Sequence, residues 1–362
     1  MPDSTNKSRS CLLPALLGVA LQFTSLQAAA QSPRADDANM VSVLYATLRN
    51  HGQVDKPAAY YGDSRGRLTA GSCEMEFRPV NGLKQLADSS PIYIPDRIRS
   101  LRKINEFSLD ELWKRLDAAV ARDNGNLVLY THGYNISFQK ACRRAATFQR
   151  ELDLHGRLLL FSWPANGNLL TYTRDVADIS WSVDYLEKFL ASLHQRYGAV
   201  RISLVGHSLG ARGLVDALTR LGYGNSGRPL FNELVLIAPD IDSQVFLQQL
   251  AELRPLVSRI TLYASANDKA LKFSNEVHGA ARLGEAGERL TLAPGVETID
   301  VSAVESRSVS GHIYHQHDSG VIADIKQLID GGKGAARRSG LAQRSRQGNR
   351  YWVLQPETGD DE

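Results

Sequence analysis

From residue 127 onward the chain predicts an α/β fold, a mostly parallel sheet with helices on both faces. Three observations predict it. Short apolar runs recur at Leu127-Val-Leu-Tyr130, Leu158-Leu-Leu-Phe161, Ile202-Ser-Leu-Val205, Leu234-Val-Leu-Ile237, Ile260-Thr-Leu-Tyr263 and Ile299-Asp-Val301. Each has strand length and few polar breaks, as strands covered on both faces require. Between them lie helix-like stretches at 137–152, 174–197, 209–221 and 243–252, with a last one at about 320–330 carrying Val321, Ile322, Ile325, Leu328 and Ile329. Strand–helix alternation of this kind builds a parallel sheet, whose ligands bind beyond the carboxyl ends of the strands.

In chain order, the first element lies outside the fold. Lys7 and Arg9 precede an apolar run from Cys11 to Phe23, which leads to Ala28-Ala-Ala30. Charge, apolar run and small residues in that order predict a signal peptide, residues 1–30, cut after Ala30. The expected product is exported, either periplasmic or secreted. The run is shorter than the roughly 20 residues a spanning helix needs, and Pro14 interrupts it, so an uncleaved anchor is the lesser reading.

Residues 31–332 form the expected domain. The chain is 43% hydrophobic and 22% charged, enough for one large core. No Pro- or Gly-rich linker marks a second domain. Residues 31–126 are less regular, with Val41-Ser-Val-Leu-Tyr45 and Leu68 to Phe77 read as leading strands added antiparallel to the sheet. With the leader removed, Cys73 and Cys142 remain. An oxidising compartment allows them to pair, whereas the apolar helix face of Cys142, with Phe138, Ala141 and Ala145, suits a buried free thiol. Both readings stay open.

Residues 333–362 are expected to be a flexible tail. Lys333, Arg337, Arg338, Arg344, Arg346 and Arg350 crowd into a stretch rich in Gly, Ser, Gln and Ala, and four acids end the chain. The basic stretch could make weak contact with an anionic envelope surface. Tyr351-Trp-Val-Leu354 is apolar enough to dock on the body. The net charge of +3 is small, so no nucleic-acid partner is expected.

The chemistry concentrates at strand ends. Ile202-Ser-Leu-Val-Gly206-His207-Ser208-Leu209-Gly210 runs a strand into G-x-S-x-G and then a helix. That context marks a nucleophile elbow, with Ser208 as nucleophile and His207 as filler, and it specifies the α/β-hydrolase fold. The bare pentapeptide would be weak, since Gly-Ser-Gly is often only a turn. Leu127 to Tyr130 ends in Thr-His132-Gly133-Tyr134-Asn135, where this fold donates one main-chain N–H to the oxyanion and the residue after the nucleophile donates another. Tyr134 and Leu209 are the expected donors. Read structurally, the same turn could simply end the strand, with Asn135 capping the next helix.

Serine needs a base, and the base needs an acid that holds its tautomer, in the order Ser, acid, His. His312, between the last strand and the last helix, is the expected base. For the acid, Asp268 is preferred and Asp240 is the alternative; either Asp could instead cap a helix. The cluster His312-Ile-Tyr-His315-Gln-His317 lacks the companion acids of a metal site, so His315 and His317 are read as surface-loop residues. No metal or organic cofactor is expected.

Taken together, His132-Gly-Tyr-Asn135, Phe161-Ser-Trp-Pro164, His207-Ser-Leu-Gly-Ala-Arg212, Tyr45-Ala-Thr-Leu-Arg49, Ala238-Pro-Asp240 and Gly311-His-Ile-Tyr314 resemble a bacterial α/β-hydrolase family of unassigned function, over roughly 40–330. The resemblance implies an esterase- or lipase-like site with Ser208, Asp268 and His312 at the triad positions. Members often carry Ala-His-Ser-Met-Gly where this chain has Gly206 and Leu209. The expected partner is a small-molecule or lipid-like ester. Acyl transfer on the same triad and a non-catalytic envelope scaffold are the alternatives. The stretch between Ala238 and Ile260 leaves room for about one helix, so no large cap and a fairly open site are expected, unless 164–175 or 78–110 covers it.

Overall fold

The computed structural model describes residues 39–79, 97–123, 126–155, 157–166, 171–198, 202–222, 228–304 and 310–356. The expected leader, 1–30, lies outside the described residues. From Asn39 the chain forms one compact unit. Its frame is an 11-stranded sheet in the order β10-β11-β9-β8-β7-β6-β4-β5-β1-β2-β3. The strands are β1 (Met40–His51), β2 (Tyr61–Pro79), β3 (Arg97–Phe107), β4 (Leu127–Thr131), β5 (Leu158–Ser162), β6 (Ile202–His207), β7 (Phe231–Ile237), β8 (Val257–Ala264), β9 (Val296–Asp300), β10 (Leu341–Arg346) and β11 (Asn349–Leu354). The helices are α1 (Leu109–Asp123), α2 (Phe138–Glu151), α3 (Tyr172–Tyr197), α4 (Leu209–Leu221), α5 (Ser243–Leu253), α6 (Lys269–His278) and α7 (Ser319–Ile329).

Strands β1, β5, β4, β6, β7, β8, β9 and β11 pair in parallel. They separate two cores by the period of the pleat. Leu127, Leu129, Leu204 and Leu234 face α1, α3, α4 and α5, while Val128, Tyr130, Val205 and Val235 face α2 and α7. Cys73 and Cys142 are both buried free thiols in the second core, and burial with each other's proximity pushes the Cys142 thiol well up. Among the described residues no helix is long and apolar enough to cross a membrane.

Three expectations are corrected. β1 is antiparallel only to β2; toward the body it pairs in parallel with β5, which is why residues 43–49 are buried in an unbroken run. The irregular stretch before 126 also holds β3 and α1. Finally, the basic stretch is no solvated tail, because β10 and β11 form a hairpin and Trp352 and Val353 join it to β9. Arg338 anchors this segment: buried, it donates to Asp324 Oδ2 (2.7 Å) and to the Tyr263 hydroxyl (2.9 Å). Arg346 is spent on the carbonyls of Gly287 and Leu290. Arg337, Arg344 and Arg350 stay exposed.

After β4 the chain crosses to β5 on one side, while β6 lies on the other. Loops leaving β4 and β6 therefore diverge and open a crevice at their carboxyl ends. Between β7 and β8 stand one α-helix and a single 3-10 turn, so no large cap is inserted there.

Candidate active site

Ser208 sits between β6 and α4 at φ 55° and ψ −126°, a conformation that side chains other than glycine seldom adopt and that costs on the order of 1–3 kcal/mol. Its amide donates to Ile237 O (3.0 Å), which pins the turn to β7. Small neighbours are compulsory here. A Cβ on Gly206 would lie 2.5 Å from Ala211 Cα, and one on Gly210 would lie 2.3 Å from His132 O.

The β4 loop closes on this turn. A Cβ on Gly133 would lie 2.8 Å from both Ser208 Cβ and His207 Nδ1, so only glycine lets the loop approach so closely. Asn135, at φ 56°, gives its amide to Asp175 Oδ2 (2.9 Å), while Ser137 rather than Asn135 caps α2 by accepting from Lys140 N. The Tyr134 amide is left with no acceptor among the described residues. Leu209 opens α4, and its amide is one of those a helix leaves without an internal partner.

His312 follows Gly311, after β9. Its Nδ1–H donates to Asp268 Oδ2 at 2.7 Å. A carboxylate only accepts, so Nδ1 holds the proton and Nε2 presents a lone pair. The other oxygen of Asp268, Oδ1, accepts from Ala270 N and Leu271 N (both 3.0 Å) as the N-cap of α6. Asp268 thus contacts His312 with one oxygen and caps α6 with the other. Among the described residues Ser208 Oγ and His312 Nε2 are buried without a hydrogen-bond partner, and both residues line one small pocket that its own side chains almost fill. Nucleophile–base contacts are often loose until substrate tightens them.

Asp240 also lines that cavity, yet it does not meet His312. It accepts from Arg282 Nε (2.7 Å), Ser274 Oγ (2.6 Å) and the Tyr172 hydroxyl (2.6 Å). The site is not open as expected: Ser208 is 1% exposed and His312 6%. Side chains close it, namely Tyr134 against Tyr172 with ring centroids 5.4 Å apart, together with Leu271 and Phe273.

Two histidines depart from their expected places. His315 is buried, its ring 4.5 Å from that of His207. A 3-10 turn, Tyr314–Gln316, folds it inward, and the Tyr314 hydroxyl fixes that turn by donating to Tyr263 O (3.0 Å). His207 is no mere filler, since its Nε2–H donates to His312 O (3.0 Å) and ties β6 to the His312 loop. Neither contact was signalled locally, because both depend on β6 lying beneath a loop more than 100 residues away.

Burial holds His132, His207 and His315 well below the ordinary imidazole pKa and pulls His317 to about 4. The unfolded chain therefore takes up these protons first, and stability is lost as pH falls below about 6.5. Urea midpoints are expected to drop between pH 7 and 5. Both ring nitrogens of His315 lack a partner, so His315→Leu should fold and reduce that slope by up to roughly 1.4 kcal/mol per pH unit, one proton's worth. An unchanged slope would show that the acid lability originates elsewhere.

A family model described as alpha/beta hydrolase of unknown function (DUF900) matches residues 109–330. No curated protein matches the chain. Among solved structures, an alpha-beta serine hydrolase homologue from Coxiella burnetii is 15% identical, with 73% of this chain and 93% of that one covered and a TM-score of 0.30. The NocB thioesterase domain, in covalent complex with a fluorophosphonate nocardicin G analogue, is 13% identical, with coverages of 55% and 94% and a TM-score of 0.29. Phospholipase PlaB from Legionella pneumophila is 11% identical, with coverages of 64% and 67% and a TM-score of 0.30. These likenesses concern the fold alone. On the family match, which spans more than half its length, the chain belongs to the α/β-hydrolase family of unknown function DUF900.

Proposed function

We propose that this protein is a serine hydrolase that cleaves a carboxylic ester through an acyl-enzyme on Ser208. One observation carries the reading: Asp268 holds His312 with its Nε2 lone pair free, beside a serine on a strained strand–helix turn. In the proposed cycle Ser208 Oγ attacks the ester carbon while His312 Nε2 takes the hydroxyl proton. The Tyr134 and Leu209 amides receive the oxyanion. Collapse expels the alcohol, which leaves with the proton from His312, and water then repeats the sequence to release the acid. Asp268 stabilises the imidazolium without itself becoming protonated.

The space over Ser208 and His312 is almost filled by the side chains that line it, far short of the roughly 300–1,000 Å³ of common ligand pockets. The preferred acyl group is therefore short. The test is a panel of p-nitrophenyl esters from acetate to dodecanoate, alongside a fluorophosphonate probe with peptide mapping. The probe is expected to modify Ser208 alone, and kcat/KM to fall at least about tenfold from butanoate to dodecanoate, the ester outgrowing the cavity. Absence of a Ser208 adduct would reject the reading.

A further inference from the structure

Three motifs remain without a role in that cycle: Tyr45-Ala-Thr-Leu-Arg49, Phe161-Ser-Trp-Pro164 and the histidine of His132-Gly-Tyr-Asn135. The structure brings them together in one buried polar network. Arg49, near the carboxyl end of β1, is 1% exposed, and no ion pair joins it to a carboxylate among the described residues. It donates to four neutral oxygens: Ser162 Oγ (3.0 Å), Gly62 O (3.1 Å), Ala165 O (2.9 Å) and Ile136 O (2.6 Å). Strand order explains the reach. β5 lies between β1 and β4, and Thr47 pairs with Ser162, so Arg49 extends past the end of β5 to the loop that leaves β4.

Asp175, in the first turn of α3, acts on the same two loops with the opposite polarity. Its buried carboxylate accepts from Asn135 N (2.9 Å) and Asn166 N (2.7 Å). The cation thus takes one carbonyl from each loop and the anion takes one amide from each. Ser162 Oγ, which accepts from Arg49, in turn donates to His132 Nε2 (3.1 Å), while His132 Nδ1–H donates to Gly133 O (2.9 Å). Trp163 Nε1–H takes His132 O (2.8 Å), and its ring stacks on the imidazole. From His132 to Ile136, three carbonyls and the Asn135 amide are therefore held by the network, which fixes the backbone on both sides of the Tyr134 amide.

We propose that Arg49 and Asp175 are positioning residues that clamp the 132–136 loop so that the Tyr134 amide faces the oxyanion, with Ser162 and His132 relaying the clamp. The inference rests on the acyl-enzyme reading above. Charged donors and acceptors suit the task, because hydrogen bonds to ionised groups are roughly twice as strong as neutral ones. Burial pulls the Arg49 guanidinium down to about 10, still far above neutral, so it stays a cation. A loop so held needs no reorganisation when charge develops on the substrate oxygen.

The test compares wild type with Asp175→Asn, Arg49→Lys and Ser162→Ala. Active sites are counted with the fluorophosphonate, and kcat and KM are measured on p-nitrophenyl butanoate. The third readout is the inhibition constant of an aryl trifluoromethyl ketone. Ser208 Oγ adds to the carbonyl carbon of that ketone, the π electrons move onto the oxygen and the hydroxyl proton passes to His312, leaving a hemiketal oxyanion. For each folded variant kcat per titrated site is expected to fall about tenfold to a hundredfold with KM within about twofold. Affinity for the ketone should fall by the same factor as kcat/KM. A merely structural role would lower the melting temperature and the count of active sites, leaving kcat per site and ketone affinity unchanged; that result overturns the proposal. Ser162→Ala removes only a hydroxyl and keeps the test alive should the charged substitutions fail to fold. Wild type that the phosphonate does not titrate at Ser208 would instead reject the acyl-enzyme reading, and the clamp with it.

Discussion

Ser208→Ala is expected to lower kcat on p-nitrophenyl butanoate by about 10⁵- to 10⁶-fold, the scale seen when the nucleophile of a serine hydrolase is removed. The fold should survive, because Ala keeps the Cβ and its conformational demands at φ 55°. Ser208→Gly supplies the matching control. It removes the nucleophile as well but relieves the strained backbone, so the melting temperature should rise with a gain on the order of 1 kcal/mol. Activity and stability then move in opposite directions, as expected where a fold tolerates strain to present a reactive group. A Ser208→Ala variant that keeps most of the wild-type kcat/KM would remove Ser208 from the chemistry.

What the sequence disclosed follows from the range of the forces involved. Each central strand is a short apolar run, because both its faces are buried, and G-x-S-x-G is legible because backbone sterics at one turn dictate small residues two positions away. The hairpin at 341–354 was hidden for the opposite reason. Only its apolar end, Tyr351-Trp-Val-Leu354, announced docking; β10 is polar and forms the sheet edge, so composition favoured a solvated tail there, and long-range contacts of Arg338 and Trp352 order it. The inward turn of His315 and the reach of Arg49 were hidden in the same way, since each depends on which strands become neighbours. Asp268 and Asp240 could not be separated locally either, because both follow strands and both resemble helix caps.

Their environments now separate them, and the second large expected effect is a crossover between two variants. In Asp268→Asn, the two amides of Ala270 and Leu271 demand an oxygen at the Oδ1 position. The new amide nitrogen must then point at His312 Nδ1, where it donates instead of accepting. His312 is forced into the tautomer with its proton on Nε2, which has no lone pair for the Ser208 hydroxyl. A fall in kcat of about 10⁴-fold is expected. Stability should hardly change, because Asn caps helices about as well as Asp. Asp240→Asn should do the reverse. It strips the buried Arg282 of the one carboxylate it pairs with among the described residues, a loss that typically costs about 3–5 kcal/mol, while the His312–Asp268 bond 2.7 Å long stays intact. The melting temperature should therefore fall by several degrees, with kcat changing less than about tenfold. Chemical denaturation and steady-state kinetics on both variants decide the matter. Should Asp240→Asn be the one that loses kcat while Asp268→Asn retains it, the acid belongs one strand earlier, and the 2.7 Å contact at His312 would be a loop brace rather than the group that orients the base.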